Sequence, residues 1–340
     1  MPEDRPIETP PPRGTRPATV ALPAADGDRR LAAVVSDFFL PAGVRLTEQE
    51  RALMNAMLHG LIDHVADELR ARLDPASASA CAAQASELVS DLTRAGLLQD
   101  HDLVAVLLRR ADVQRLAQGA SGGRSRVQRW TASDDSDLAS AAMALVAARG
   151  RGRDRFGRAA LDLADLPPVL AEGLVQMVAA ALGRRCSEPS DAAIARAAAD
   201  LVGATPTTPR LAEIEERLAA LLGSEGRREG GLAVALANDG DAPLLAAILG
   251  LEADIPVEEA FRLLIGGGDL LALLLRLARL PRREAAALLA HAGPALGIGD
   301  PVAAIELFDA LPDEQVEAAR TELALPSAYR RARLVLDRNG

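Results

Sequence analysis

Hydrophobic positions in this chain recur at helical spacing, and nowhere do they alternate with the period of two that marks a strand. The longest stripe is Leu53, Met54, Met57, Leu58, Leu61, Ile62, Val65 and Leu69. Its i, i+3, i+4 rhythm predicts an amphipathic helix, and Thr47 with Glu50 has the spacing of a capping box at its start. Asp28 to Leu40 predicts a shorter helix before it. Asp74 and Pro75 read as cap and first-turn proline of a helix running through Leu88, Val89 and Leu92 to a stop at Gly96. Asp100 opens another, with Leu103, Val104, Leu107, Leu108 and Leu116 on one face.

The rhythm breaks over residues 118–134, where Gly119, Gly122 and Gly123 stand among polar residues, returns at Ser136 to Ala148, and breaks again at Gly150 to Gly157. Beyond that, Pro168, Ser190, Pro209, Pro243, Pro256, Asp269, Pro281, Pro301, Pro312 and Pro326 each open an apolar-periodic segment. These segments run for roughly 9 to 16 residues, ordinary lengths for globular helices. The pattern predicts an all-α fold of many short helices in an irregular array or bundle, without significant β-sheet. Residues 1–28 carry seven prolines and almost no apolar periodicity, so they are expected to be a disordered tail. Four regions follow: the tail at 1–28, an N-terminal helical region at 29–118, a Gly/Arg-rich interrupted segment with one helix at 119–158, and a C-terminal helical region at 159–340.

Composition agrees with helix. Only seven of the 340 residues are aromatic (five Phe, one Trp, one Tyr), whereas Ala and Leu dominate. All 38 Lys-or-Arg positions are Arg, so Schiff-base chemistry and a phosphate-binding P-loop lysine are excluded. The net charge of −10 argues against a nucleic-acid binder. Cys81 and Cys186 sit singly within helical patterns, which predicts two buried, reduced thiols rather than a disulfide or metal pair. No apolar run is long enough to span a bilayer, and the Pro-rich start lacks the layout of a signal peptide, so a cytoplasmic location without membrane contact is expected.

Several residues resemble a known family. They are Leu46-Thr47-Glu48-Gln49-Glu50-Arg51 ahead of the long helix, Leu98-Gln99-Asp100-His101-Asp102-Leu103, Leu166-Pro167-Pro168-Val169-Leu170, and Arg279-Leu280-Pro281-Arg282 within the stretch from Phe261 to Ala290. Phe308-Asp309-Ala310-Leu311-Pro312 and Tyr329-Arg330-Arg331-Ala332 complete the set. Over roughly residues 30–337 the chain is similar to the bacterial family called domain of unknown function 2336. That resemblance implies a cytoplasmic, HEAT-like all-α protein with no established catalytic activity, and it transfers no functional residues. The segment 118–158 departs from the family's more regular repeats.

Candidate chemistry is sparse. Gly119-Ala120-Ser121-Gly122-Gly123 matches the Gly-x-Ser-x-Gly elbow in letters, but no strand precedes it and the reading is a loop. His59, Asp63, His64, Asp67 and Glu68 share one helix, yet His64 lies about 140° round from His59, and a solvated face accounts for them better than a metal site. Gly266, Gly267 and Gly268 before Asp269 read as a helix stop and an Asp cap rather than an anion nest. The notable feature is an excess of arginine: eleven between Arg109 and Arg158 against five acids, with the only Trp, Trp130, next to Arg129. Such a run is usually a solvated loop.

Two functions follow as expectations. The first is a non-catalytic protein-interaction scaffold or regulatory adaptor, binding another protein in a groove between helices. The alternative is a sensor for an anionic, nucleotide-type ligand held by Arg124, Arg126, Arg129 and Trp130. No enzyme activity, cofactor, metal or nucleic-acid partner is expected.

Overall fold

A computed structural model describes residues 46–118, 125–187, 191–204, 209–229, 231–293 and 298–326, together with 296, 329, 330, 332, 333 and 336. The expected tail at 1–28, the helix at 28–40, the Gly-x-Ser-x-Gly letters at 119–123 and Arg124 lie outside these residues. The chain divides into two units, Met1–Glu48 and Gln49–Gly340, and almost everything described belongs to the second. Among the described residues there are 16 α-helices and no sheet, so the protein is all-α. An isolated bridge pairs Arg153 with Ala159.

The first four helices are α1 (Glu48–Arg70), α2 (Pro75–Ala80), α3 (Ala85–Arg94) and α4 (His101–Gln118). The α1 stripe buries Met54, Met57, Leu61, Ile62, Val65 and Leu69, as its spacing predicts. The single helix expected from Asp74 to Gly96 is instead two. Asp74 caps α2 by accepting from Ala76 N and Ser77 N, but the helix stops at Ala80 and residues 81–84 are non-helical. Arg70 on α1 donates from Nε to Cys81 O at 2.8 Å and from Nη2 to Ala83 O, so a guanidinium takes carbonyls that a continuous helix would use itself. Glu87 then accepts from Gln84 N at 3.0 Å and restarts the helix as α3.

The break also serves a crosslink. Cys81 and Cys186 form a disulfide across 105 residues, with Cα atoms 4.4 Å apart. This overturns the expectation of two reduced thiols. Each cysteine stands alone in its local pattern, and only the fold brings residue 81 to the end of α7 (Pro168–Gly183). Nearby, α3 packs on α7, and α7 on α8 (Asp191–Gly203). Arg185 reinforces the junction through Asp91 at 2.6 Å and Glu87 at 3.2 Å.

The remaining helices are α5 (Arg126–Trp130), α6 (Ser136–Arg151), α9 (Leu211–Glu229), α10 (Leu232–Asn238), α11 (Ala242–Ala253), α12 (Val257–Ile265), α13 (Gly268–Leu277), α14 (Arg282–Ala292), α15 (Pro301–Ala310) and α16 (Asp313–Leu323). One hydrophobic core runs from Leu116 through Val127 and α6 to Val316, across the boundary at 158. At its centre lies α11, where every residue from Ala242 to Gly250 is buried. A helix apolar on all sides must be surrounded. Here α4, α9, α10, α12 and α13 do so. Gly250 allows the closest approach, since a Cβ there would lie 3.1 Å from Ala260 Cβ. The expected Asp269 cap is displaced: Gly267, with φ of 101°, precedes α13, and Asp269 falls within its first turn.

Candidate functional site

A cavity of about 600 Å³ opens beside the buried start of α11. Its walls are the C-terminal half of α4, α5, the end of α6, a hairpin at 152–160, the start of α9 and the turn between α10 and α11. The volume lies within the range that holds a drug-sized ligand.

Charge is organised around this cavity from four distant stretches of chain. Arg149, on the last turn of α6, makes a two-pronged pair with Asp241, both bonds 2.7 Å long. Asp241 also caps α11 by accepting from Leu244 N. Arg149 reaches Glu215 of α9 at 3.4 Å, and Arg109 of α4 approaches the other oxygen of Glu215 at 3.9 Å. Arg109 further pairs with Glu258 at 3.3 Å and lies 5.1 Å from the centre of the Phe261 ring. Glu215 is buried, which pushes its carboxyl above the ordinary range against the pull of Arg149 and Arg109. For Arg149, burial works to lower the pKa, but Asp241 and Glu215 outweigh it and hold the guanidinium charged.

Arg110 is different. It lines the cavity and donates from Nη2 to Gly152 O at 2.7 Å, but its buried Nε has no hydrogen-bond partner. Among the described residues no carboxylate lies within ion-pair distance of it. Burial lowers its pKa, with Asp165 and Glu215 opposing at longer range. Arginine nevertheless stays protonated, so Arg110 is a desolvated cation without a matched anion. The other lining carboxylates are taken: Asp241 by Arg149, Glu215 by Arg149 and Arg109, Asp239 by Arg126 and Arg129.

The residues expected to bind a ligand are placed as follows. Arg126 Nε lies 3.4 Å from Asp239 and Arg129 Nη2 lies 4.0 Å from the same carboxylate, so both carry a counter-charge beside the cavity. Trp130 is half-buried and packs against the core. Arg124 is outside the described residues. Their neighbours Val127 and Gln128 line the cavity, whereas Arg126, Arg129 and Trp130 are set back from it. Sequence alone does not single out Arg110, Arg149, Glu215 and Asp241 as a site, although the arginine excess includes two of them. His59 Nδ1 donates to Asn55 O of its own helix, and among the described residues no three His, Cys, Asp or Glu side chains are placed to hold a metal ion.

Among the described residues no helix is long and apolar enough to cross a membrane. No protein-family model, curated protein or solved structure matches this chain, so the chemistry of the site stands on its own geometry.

Proposed function

We propose that this chain is a non-catalytic binding protein that takes a small organic anion of nucleotide type into the cavity beside α11. The supporting observation is Arg110, a half-buried guanidinium that lines the cavity, carries a buried Nε without a partner, and has no carboxylate within ion-pair distance among the described residues. A charge desolvated in this way is costly unless it is matched, and an incoming phosphate or carboxylate supplies the match. The side-chain amides of Gln118 and Gln128 on the same wall offer donors and acceptors for the rest of such a ligand. The site differs from the one expected around Trp130, but the ligand class is the same. The likeness to domain of unknown function 2336 assigns no residue roles and adds nothing to this choice.

The test uses Trp130 as the reporter, since α5 borders the cavity and carries the only Trp. A panel of mononucleotides, cyclic dinucleotides and di- and tricarboxylates is titrated by fluorescence and by thermal shift. At least one class should give a saturable change, weakened by an order of magnitude or more in Arg110→Met, as expected for loss of a buried charged contact. A flat response across the panel by both methods sinks the proposal.

A further inference from the structure

The hairpin that closes one wall of the cavity turns a second, outward feature to solvent. Its backbone is pinned throughout. Asp154 N donates to Arg158 O at 2.8 Å, Ala160 N to Gly152 O at 3.0 Å and Gly157 N to Asp154 O at 2.9 Å. The Asp154 carboxylate accepts from Phe156 N and Arg158 N, both at 2.8 Å. Gly157 supplies the left-handed turn, with φ of 76°. Arg110 holds the base of the hairpin at Gly152 O, and Gln114 Oε1 accepts from Ala159 N.

This rigid tip exposes Phe156, which is 68% accessible in a chain with seven aromatic residues. The guanidinium carbons of Arg155 and Arg158 lie 4.8 and 5.8 Å from the ring centre. Arg151, Arg153, Arg155 and Arg158 are all exposed, and among the described residues none has a carboxylate within ion-pair distance. The one acid of the stretch, Asp154, is occupied by backbone N–H groups. Elsewhere arginines are routinely paired, as with Arg70, Arg72, Arg185, Arg276 and Arg282. An exposed aromatic flanked by unpaired arginines on a preorganised loop has the composition of an interaction hot spot and little ordering cost to meet on binding.

The geometry points to this hairpin as a docking knob for a short acidic segment of a partner protein, with an apolar side chain against Phe156 and carboxylates on Arg151, Arg155 and Arg158. Charge complementarity selects the partner. The knob is cationic within a chain of net charge −10, which favours a segment carrying a few negative charges and repels a long polyanion. A single aromatic offers one stacking platform, where single-stranded nucleic acid is bound by several in succession. The docking surface goes beyond the cavity reading and does not need it, because Phe156 and Arg155 do not line the cavity.

The experiment selects binders to the full chain from a random dodecapeptide display library, then measures the enriched peptides against variants. Enrichment should favour Asp and Glu around an apolar or aromatic residue, with binding that weakens as salt is raised. The enriched peptides should bind at least about tenfold more weakly to Phe156→Ala and to the Arg155→Glu, Arg158→Glu double variant. Both changes are at the exposed tip, and an unchanged melting temperature verifies folding; Gln128→Ala, on the α5 wall of the cavity, should retain peptide binding. Enrichment without acidic bias, no enrichment, or equal binding to the variants overturns the inference. So does a mixed-sequence single-stranded oligonucleotide that binds more tightly than any peptide and is lost in the same variants.

Discussion

The guanidinium of Arg110 occupies the space that a side chain at residue 152 would need. A Cβ added to Gly152 would fall 1.6 Å from Arg110 Nη2, the nitrogen that donates to Gly152 O at 2.7 Å. Gly152 is buried with φ of −73°, so it is the close approach, and not the backbone conformation, that requires glycine here. Gly152→Ala should therefore expel the head of Arg110 and break one charged hydrogen bond, at a cost of about 1–3 kcal/mol. Chemical denaturation measures that loss. If Gly152→Ala is as stable as the parent and binds the panel ligand equally well, Arg110 is not held as described.

The network behind it makes a sharper stability prediction. Arg149→Met leaves Asp241 and the buried Glu215 without their nearest cation, and stranding a buried charge costs roughly 3–5 kcal/mol. Adding Asp241→Asn removes one stranded charge while keeping an oxygen able to cap α11 at Leu244 N. The double variant should thus recover part of the loss, so that the two changes are less than additive in urea unfolding. Full additivity would show that Arg149 and Asp241 do not act as a pair.

How far the sequence foretells this arrangement depends on where each cause lies. The α1 stripe and the proline starts at Pro168, Pro256, Pro281, Pro301 and Pro312 are local, since capping chemistry and apolar spacing act within a turn or two, and the helices begin at or next to those residues. The break at 81–84 is not local. Residues 76–83 are Ala- and Ser-rich and compatible with helix, yet the helix ends at Ala80, where Arg70 from α1 and the bond to Cys186 engage residues 81–83. The arginine excess at 109–158 likewise announces a cationic region. Which arginine remains unmatched is decided by Glu215, Asp239 and Asp241, contributed from a hundred or so residues away in the chain. Trp130 has charged neighbours in sequence, yet it stands three residues after the buried Val127, and that helical spacing turns it toward the core.

The crosslink gives a third prediction. In the described structure neither cysteine is free, so air-purified protein should show no alkylatable thiol until it is denatured and reduced, and then two. Reduction, or Cys81→Ala with Cys186→Ala, releases a loop closed over a separation of 105 residues and should lower stability by about 2–4 kcal/mol. The melting temperature of oxidised and reduced protein, measured side by side, checks this. Equal melting temperatures would mean that the bond contributes nothing to the fold. Trapping thiols by alkylation in intact cells adds the location: disulfides at rest belong to oxidising compartments, and cytoplasmic ones are transient.

The fourth prediction concerns pH. Burial pushes the Asp165 carboxyl above its ordinary range, against the opposing effects of the Leu211 N–H and the charges of Arg110 and Arg151, and with some support from Asp162. Glu215 is raised by the same cause. A carboxyl with a folded pKa above its unfolded value takes up its proton in the folded state first. Its contribution to stability therefore grows as pH falls through the folded value towards the unfolded one, and is absent above both. The same protonation removes negative charge facing Arg110. Anion affinity should accordingly rise on acidification from about pH 8 to about pH 5, by more than about tenfold, since one charge at roughly 10 Å and an effective dielectric of about 20 contributes about 1.7 kcal/mol per unit charge of the anion. Inorganic sulfate, a dianion throughout that range, is the suitable probe, followed by Trp130 fluorescence. Asp165→Asn should bind sulfate more tightly at the alkaline end and flatten the profile. A variant whose pH dependence matches the parent's would remove Asp165 from the electrostatics of the cavity and leave Glu215 as the group that titrates.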